Sequence, residues 1–132
     1  MDTLRLKFTD ETFAGKILNE ISISISGERL TVKDIIEARV YAEVEDYNQR
    51  LPEIYRGLVQ PKDAEVALNG FRVKPKIKVD AEKQLYTALD AFQKNGFFVI
   101  IDNVQAESLD DEVMLNNDST VSFVKLTPLV GG

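Results

Sequence analysis

Ile21, Ile23 and Ile25 alternate with Ser22, Ser24 and Ser26, and this strict period of two constrains the chain more than any other feature in it. Only an extended strand sends every second side chain to the same face, so the run predicts a strand with its isoleucines buried and its serines in water. Leu4, Leu6 and Phe8 alternate with polar residues in the same way. They read as another strand with one buried face.

The period changes after Gly27-Glu28. Thr31, with Asp34 three residues later, has the form of a capping box, in which side chain and backbone at a helix start satisfy each other's hydrogen bonds. From there Ile36, Val40, Val44, Tyr47 and Leu51 recur at steps of three or four with acids between them. That spacing predicts an amphipathic helix from 32 to about 50, ended by Leu51-Pro52 because the residue before a proline avoids the helical region. Beyond it, Pro61 can open a short helix over 62 to 68 that Asn69-Gly70 would close. Arg72, Lys74, Lys76 and Lys78 alternate with Val73, Pro75, Ile77 and Val79. Lysines and a proline along a strand block further pairing, so this stretch reads as an exposed edge strand.

Asp80 is a good helix cap, and Leu85, Leu89 and Phe92 with Ala81, Ala88 and Ala91 form one side of a second helix stopped by Asn95-Gly96. Phe97-Phe98-Val99-Ile100-Ile101 is an unbroken apolar run between turn residues. It predicts a fully buried strand packed against the helix that begins near Val32. The segment from Val104 to Ala106 can return beside it. After an acidic loop and an Asn116-Asn117-Asp118 turn, Thr120-Val121-Ser122-Phe123-Val124 reads as the last strand, with Phe123 as core. Pro128 donates no hydrogen bond and Gly131-Gly132 favour an open backbone, so 127–132 should form a tail.

Composition narrows the chemistry. The chain has neither Cys nor His, which removes thiol nucleophiles, disulfides, the usual zinc ligands and any imidazole base. An enzyme is therefore not expected, nor is a metal site or a bound cofactor. A net charge of −6 over 132 residues opposes nucleic acid and anionic membranes as partners. The acid concentrates between Asn95 and Val124, a stretch without Lys or Arg; its plain reading is a solvated face. No run approaches the roughly 18 apolar residues that a membrane span needs. The start lacks the basic and apolar segments of a secretory signal, which gives a cytoplasmic expectation. Length and an apolar fraction of 44% suit one domain over 1–132.

Three segments together carry a resemblance. Val99-Ile100-Ile101-Asp102-Asn103-Val104-Gln105, then Leu115-Asn116-Asn117-Asp118-Ser119-Thr120-Val121-Ser122-Phe123, then Pro128-Leu129-Val130-Gly131-Gly132 resemble the sulfur carriers of molybdopterin and thiamine-thiazole synthesis, within the ubiquitin-like superfamily. Leu30-Thr31-Val32-Lys33-Asp34-Ile35-Ile36 looks like that family's approach to its main helix. The likeness covers roughly 17 to 51 and 96 to 132, leaving about 52–95 as an insertion that carries the second helix and the edge strand. It implies an α+β fold of the β-grasp type, in which a mixed sheet wraps a main helix. It also implies that the carboxylate of Gly132 is adenylated with ATP by a ubiquitin-activating-type enzyme. Gly131 and Gly132 would enter that enzyme's channel, guided by Val130, Leu129 and Pro128. The adenylate would then become a thiocarboxylate for a sulfur-accepting enzyme, or pass through a conjugating enzyme to target lysines. A noncovalent interaction module of the same fold stays open as the alternative.

Overall fold

The computed structural model describes residues 3–26, 29–50, 54–61, 64–67, 70–73 and 78–125. Strands β1 (Thr3–Glu11) and β2 (Ile17–Ser26) form an antiparallel hairpin. Its register sets Leu4 opposite Ile25, Leu6 opposite Ile23 and Phe8 opposite Ile21, so the two period-two apolar sets share one face. Asp10 pairs with Asn19 while the next residue, Glu11, pairs with Ile17. Leu18 is the extra residue of a bulge.

β3 (Arg29–Thr31) runs straight into α1 (Val32–Arg50). The capping box is present in both directions: Thr31 N–H donates to Asp34 Oδ2 at 2.9 Å, and Asp34 N–H donates to Thr31 Oγ1 at 3.3 Å. After α1 come β4 (Ile54–Tyr55), β5 (Ala64–Ala67), β6 (Gly70–Val73) and α2 (Ala81–Gln93). The chain then forms β7 (Phe97–Ile101), β8 (Val104–Gln105), β9 (Glu112–Met114) and β10 (Val121–Lys125).

The main sheet has the order β2-β1-β10-β7-β8, with β10 parallel to β1 and the other neighbours antiparallel. A hairpin at one side, a last strand inserted parallel to the first, and α1 across one face make this an α+β fold of the β-grasp arrangement. Its core gathers Leu6, Phe8, Ile23 and Ile25 from the hairpin, Ile35, Ile36 and Val40 from α1, and Phe97, Val99, Val121 and Phe123 from the later strands. The Asp102-Asn103 turn joins β7 to β8 with φ of 48° and 68°. Both values are positive, as the tightest hairpin turn requires, and Asp and Asn tolerate that region better than most side chains.

Three expectations need correction. β7 is not buried on both sides: Phe97, Val99 and Ile101 face the core, while Phe98 and Ile100 are half-buried on the outer face. The ring of Phe13 stands edge-on to Phe98 there, at 5.9 Å. The helix expected over 62 to 68 is absent among the described residues of that span, where β5 and β6 pair with Ala67 opposite Gly70. An Asn-Gly pair suits a hairpin as well as a helix end, and Gly70 here begins β6. Gly70 has a φ of +156°, and a Cβ there would lie 2.5 Å from the Tyr55 carbonyl oxygen, so β4 approaches as closely as it does because no side chain intervenes. Of the expected edge strand over 72–79, Arg72 and Val73 fall in β6, the middle strand of a small sheet ordered β4-β6-β5, and 78–79 lie in no strand; residues 74–77 lie outside the described residues.

α2 forms as the sequence predicts. The Asp80 carboxylate accepts from Lys83 N–H at 3.1 Å, and Asn95 ends the helix at φ 60° while Gly96 N–H returns to Ala91 O at 2.7 Å. Leu85, Ala88 and Phe92 are buried and Leu89 is partly so, all packed in the same apolar cluster as the main core. The side chain of Asn48 on α1 grips both backbone groups of Val79, accepting from its N–H at 2.7 Å and donating to its carbonyl at 2.9 Å. This clamp ties the segment before α2 to α1. β9 pairs with β3, and the loop before it offers Asp111 and Leu109 carbonyls to the N–H groups of Val32 and Lys33, both at 3.0 Å. Those are donors that a helix start leaves without partners in its own helix. The six acids between Asn95 and Val124 are all exposed.

Candidate functional site: a buried ion network at the root of the C-terminal segment

β10 is the element from which the C-terminal segment departs, and Phe123 fixes it. That ring is fully buried, 5.8 Å from the ring of Phe8 and 6.2 Å from that of Phe97. Two residues on, Lys125 occupies the same face. The sequence-derived site residues Pro128, Leu129, Val130, Gly131 and Gly132 lie outside the described residues, so the structure reports on their root rather than on them.

At that root a charge network lies inside the protein. Arg39, on the inner face of α1, is completely buried. It makes two hydrogen bonds to the Asp10 carboxylate of β1, the Nη2 bond measuring 2.8 Å, and donates from Nε to Glu43 Oε2 at 2.6 Å. Its guanidinium also lies 5.0 Å from the centre of the Phe123 ring, a favourable stacking of cation on aromatic face. Glu43 Oε1 accepts from Tyr55 Oη at 2.9 Å and from Leu58 N–H at 3.0 Å. Lys125 Nζ donates to the Gly57 carbonyl at 2.8 Å and sits 3.4 Å from Asp10 Oδ2. Two carboxylates thus face two cations, and residues of the insertion supply the remaining hydrogen bonds.

The electrostatics follow from this geometry. Burial alone would raise the Asp10 carboxyl, but the hydrogen bonds and charge of Arg39, with a further contribution from Lys125, outweigh it and hold the group below its ordinary range. Burial would lower the Arg39 guanidinium, yet Glu43 and Asp10 raise it. The Lys125 ammonium is pushed down, by burial first and by Arg39, against the opposing pull of Asp10. Burial and the neighbouring Glu43 carboxylate both push the Tyr55 phenol up. Charges taken out of water cost several kcal/mol each, about what good pairing returns. Such a network adds little net stability when whole and costs much when one member is lost. Because Lys125 reaches both Asp10 and Gly57, it braces β10 against β1 and the insertion.

Sequence reasoning missed this network, although its signal was present. Asp10 continues the inward set Leu4, Leu6, Phe8, and Lys125 continues Val121, Phe123. Arg39 and Glu43, four apart, fall on the α1 stripe that also holds Ile36, Val40, Val44 and Tyr47. Charges of both signs at core positions on three elements mark a buried pairing, since such groups are almost never fully buried alone.

The strand order and the parallel pairing of β10 with β1 define the class as an α+β protein of β-grasp arrangement. Comparison with protein families, with curated proteins and with solved structures gives no match to this chain. No helix among the described residues is long and apolar enough to cross a membrane.

Proposed function

We propose that this chain is a ubiquitin-like modifier or sulfur carrier, and that its working group is the carboxylate of Gly132. The observation that supports this reading is the position of β10. The strand lies parallel to β1 within a β-grasp sheet, and the sequence that follows it runs through Pro128-Leu129-Val130 to Gly131-Gly132. The carboxylate oxygen attacks the α-phosphorus of ATP on an adenylating enzyme, expelling pyrophosphate and leaving an acyl-adenylate. Hydrosulfide then displaces AMP to give a thiocarboxylate. Alternatively a thiolate displaces AMP, and a lysine amine displaces that thiolate to give an amide. Two residues without side chains let the acyl carbon pass through a narrow channel. Pro128, Leu129 and Val130 are the apolar guides. The chain acts as substrate, the activating partner uses ATP, and the setting is cytoplasmic. The acceptor is a sulfur-using enzyme, or a conjugating enzyme and its target lysines.

The test is mass spectrometry of the intact chain after incubation with ATP and a candidate adenylating enzyme. Sulfur transfer appears as a gain of about 16 mass units, oxygen exchanged for sulfur, whereas conjugation leaves a Gly-Gly remnant on an acceptor lysine after proteolysis. A chain that neither drives pyrophosphate release nor changes mass with any such enzyme is not a carrier of this kind.

A further inference from the structure

A groove of about 890 Å³ is lined by α2, the start of β7 and the loop from 106 to 110. The fold leaves it open for an identifiable reason. β8 covers β7 only at Ile100 and Ile101, and after Ala106 N–H donates to the Val99 carbonyl at 2.8 Å the chain leaves the sheet to cap α1. Phe97 and Phe98 are thus left without a strand neighbour on that side among the described residues. The buried Phe92 and Phe97, with ring centres 5.9 Å apart, belong to the lining, as do the half-buried Leu89 and Phe98. Tyr86 on α2 lines it too, is 63% exposed, and pairs with no other ring among the described residues. Aromatic side chains of this kind, apolar in body and polar at the tip, are the ones that contact surfaces favour.

The charge of the lining is mostly of one sign. It carries three carboxylates, of Asp90, Glu107 and Asp110, against one ammonium, of Lys33, among the described residues. Asp90 is held by Lys94 at 2.8 Å, whereas Glu107 and Asp110 are exposed and make no ion pair among the described residues. Their loop is fixed from within: Asp111 Oδ2 accepts from the N–H groups of Glu107 and Ser108 at 3.0 and 3.1 Å. Asp111 therefore serves the shape of the loop, and Glu107 and Asp110 stay available to a partner. No group of three acids among the described residues could hold a metal ion, so the cation that suits this lining is carried on a longer group.

We infer that this groove docks a short basic segment of a partner protein, with an arginine laid on the Tyr86 ring and paired to Glu107 or Asp110, and a neighbouring apolar side chain against Leu89 and Phe98. Arginine fits better than lysine, because its planar guanidinium stacks on an aromatic face and still presents N–H groups to a carboxylate. The occupant is another protein rather than this chain. Residues 126–132 read Leu-Thr-Pro-Leu-Val-Gly-Gly, without a cation, and two copies of net charge −6 repel each other at long range. Phosphates of nucleic acid are repelled in the same way. Since α2 belongs to the insertion, this docking gives the insertion a task of its own. It is independent of the Gly132 chemistry and stands or falls separately from it.

The experiment selects a displayed library of random dodecapeptides on the immobilised full chain, then titrates the enriched sequences, acetylated and amidated, into the isotopically labelled full chain by NMR. The expected result is enrichment of arginine beside an apolar residue, with saturable shifts at Tyr86, Leu89, Glu107 and Asp110. Replacing that arginine by citrulline, which keeps its shape and removes its charge, should weaken binding about tenfold, the scale of one hydrogen bond to a charged group. Lysine in its place should also bind more weakly, and the gap between arginine and lysine should close in Tyr86→Leu. Glu107→Gln combined with Asp110→Asn should abolish the preference for arginine over citrulline while leaving the thermal midpoint unchanged, because both carboxylates are exposed. The proposal is overturned if no basic peptide is enriched, if the shifts map elsewhere, if citrulline binds as well as arginine, or if the double variant keeps the preference. It is equally overturned if free arginine amide saturates the same residues as tightly as the peptide, which would make a small cation the occupant. Self-association of the chain alone through these residues would overturn it too, with a second copy as the occupant.

Discussion

Asp10 holds the position on β1 where the alternation calls for another apolar side chain, and it is tolerated only because Arg39 and Lys125 meet it there. Asp10→Asn should therefore cost about 3–5 kcal/mol of unfolding free energy in urea, the loss typical when one partner of a buried pair is removed. Lys125→Met should cost less, because Asp10 keeps both bonds to Arg39 and loses only the longer 3.4 Å ion pair, while the Gly57 carbonyl loses its donor. The carboxyl of Asp10 is lowered in the folded state, from an ordinary value of 3.8. A lowered acid stabilises the fold fully above that ordinary value, and the contribution is lost as pH falls through the folded one. Acid unfolding of the parent should thus steepen below about pH 3.8, and Asp10→Asn should flatten it. An acid limb identical in both proteins would show that Asp10 is not the group responsible. The sequence displayed all four charged residues at inward positions, but periodicity arguments count apolar residues and read a charge in the stripe as a gap. Partners more than a hundred residues apart, such as Asp10 and Lys125, are joined only by the parallel pairing of β1 with β10.

At the scale of elements, local signals worked where one principle spoke alone. Thr31 and Asp34 had one use, the start of α1, and Thr31→Ala should cost about 1 kcal/mol in the same denaturation experiment. The Asp102-Asn103 turn is held from outside as well: the Asp102 carboxylate accepts from Thr120 N–H at 2.8 Å and Ser119 Oγ at 3.1 Å, linking the β7–β8 hairpin to the start of β10. Asn103→Ala should cost about 1–2 kcal/mol, since alanine is disfavoured at positive φ. α2 was legible from Asp80 to Asn95 because cap, stripe and stop agreed, and its docking is a packing claim. Leu85→Ala should cost about 2–5 kcal/mol if that side chain fills the core as its burial indicates, measured as a shift in urea midpoint. Signals failed where two principles competed. Pro61 and Asn69-Gly70 fit the ends of a short helix, yet Asn-Gly also suits a hairpin, Gly70 begins β6, and a four-residue strand offers too little periodicity to decide. β3 and β9 are three residues each, below the length at which alternation is readable, so their pairing was visible only in three dimensions.

For the molecule as a whole, the strands of the main sheet and α1 were within reach of the sequence because they carry long apolar patterns, whereas the mixed sheet was implied only by the resemblance. Of the proposed site, the sequence offered the diglycine, which lies outside the described residues, and not the root, where distant charges converge. These two halves make separable demands. The root belongs to the folded body, so its variants should change stability. Residues 127–132 follow the last core position of β10, and a terminal segment that buries little contributes little to the fold. Deleting Gly131 and Gly132, or replacing Gly132 by a bulky residue, should therefore shift the urea midpoint by less than about 0.5 kcal/mol in equivalent free energy, the usual range for changes outside the core. The same changes should abolish ATP-dependent pyrophosphate release with the activating enzyme, and with it any thiocarboxylate or conjugate. A side chain at the final position blocks the approach of the carboxylate to the α-phosphorus, and deletion moves the carboxylate out of reach. Conversely, Lys125→Met should leave a competent carboxylate on an altered root, so activation should persist with a changed KM. If the diglycine deletion instead lowers stability while activation survives, Gly131 and Gly132 serve the fold, and the noncovalent interaction module becomes the better reading.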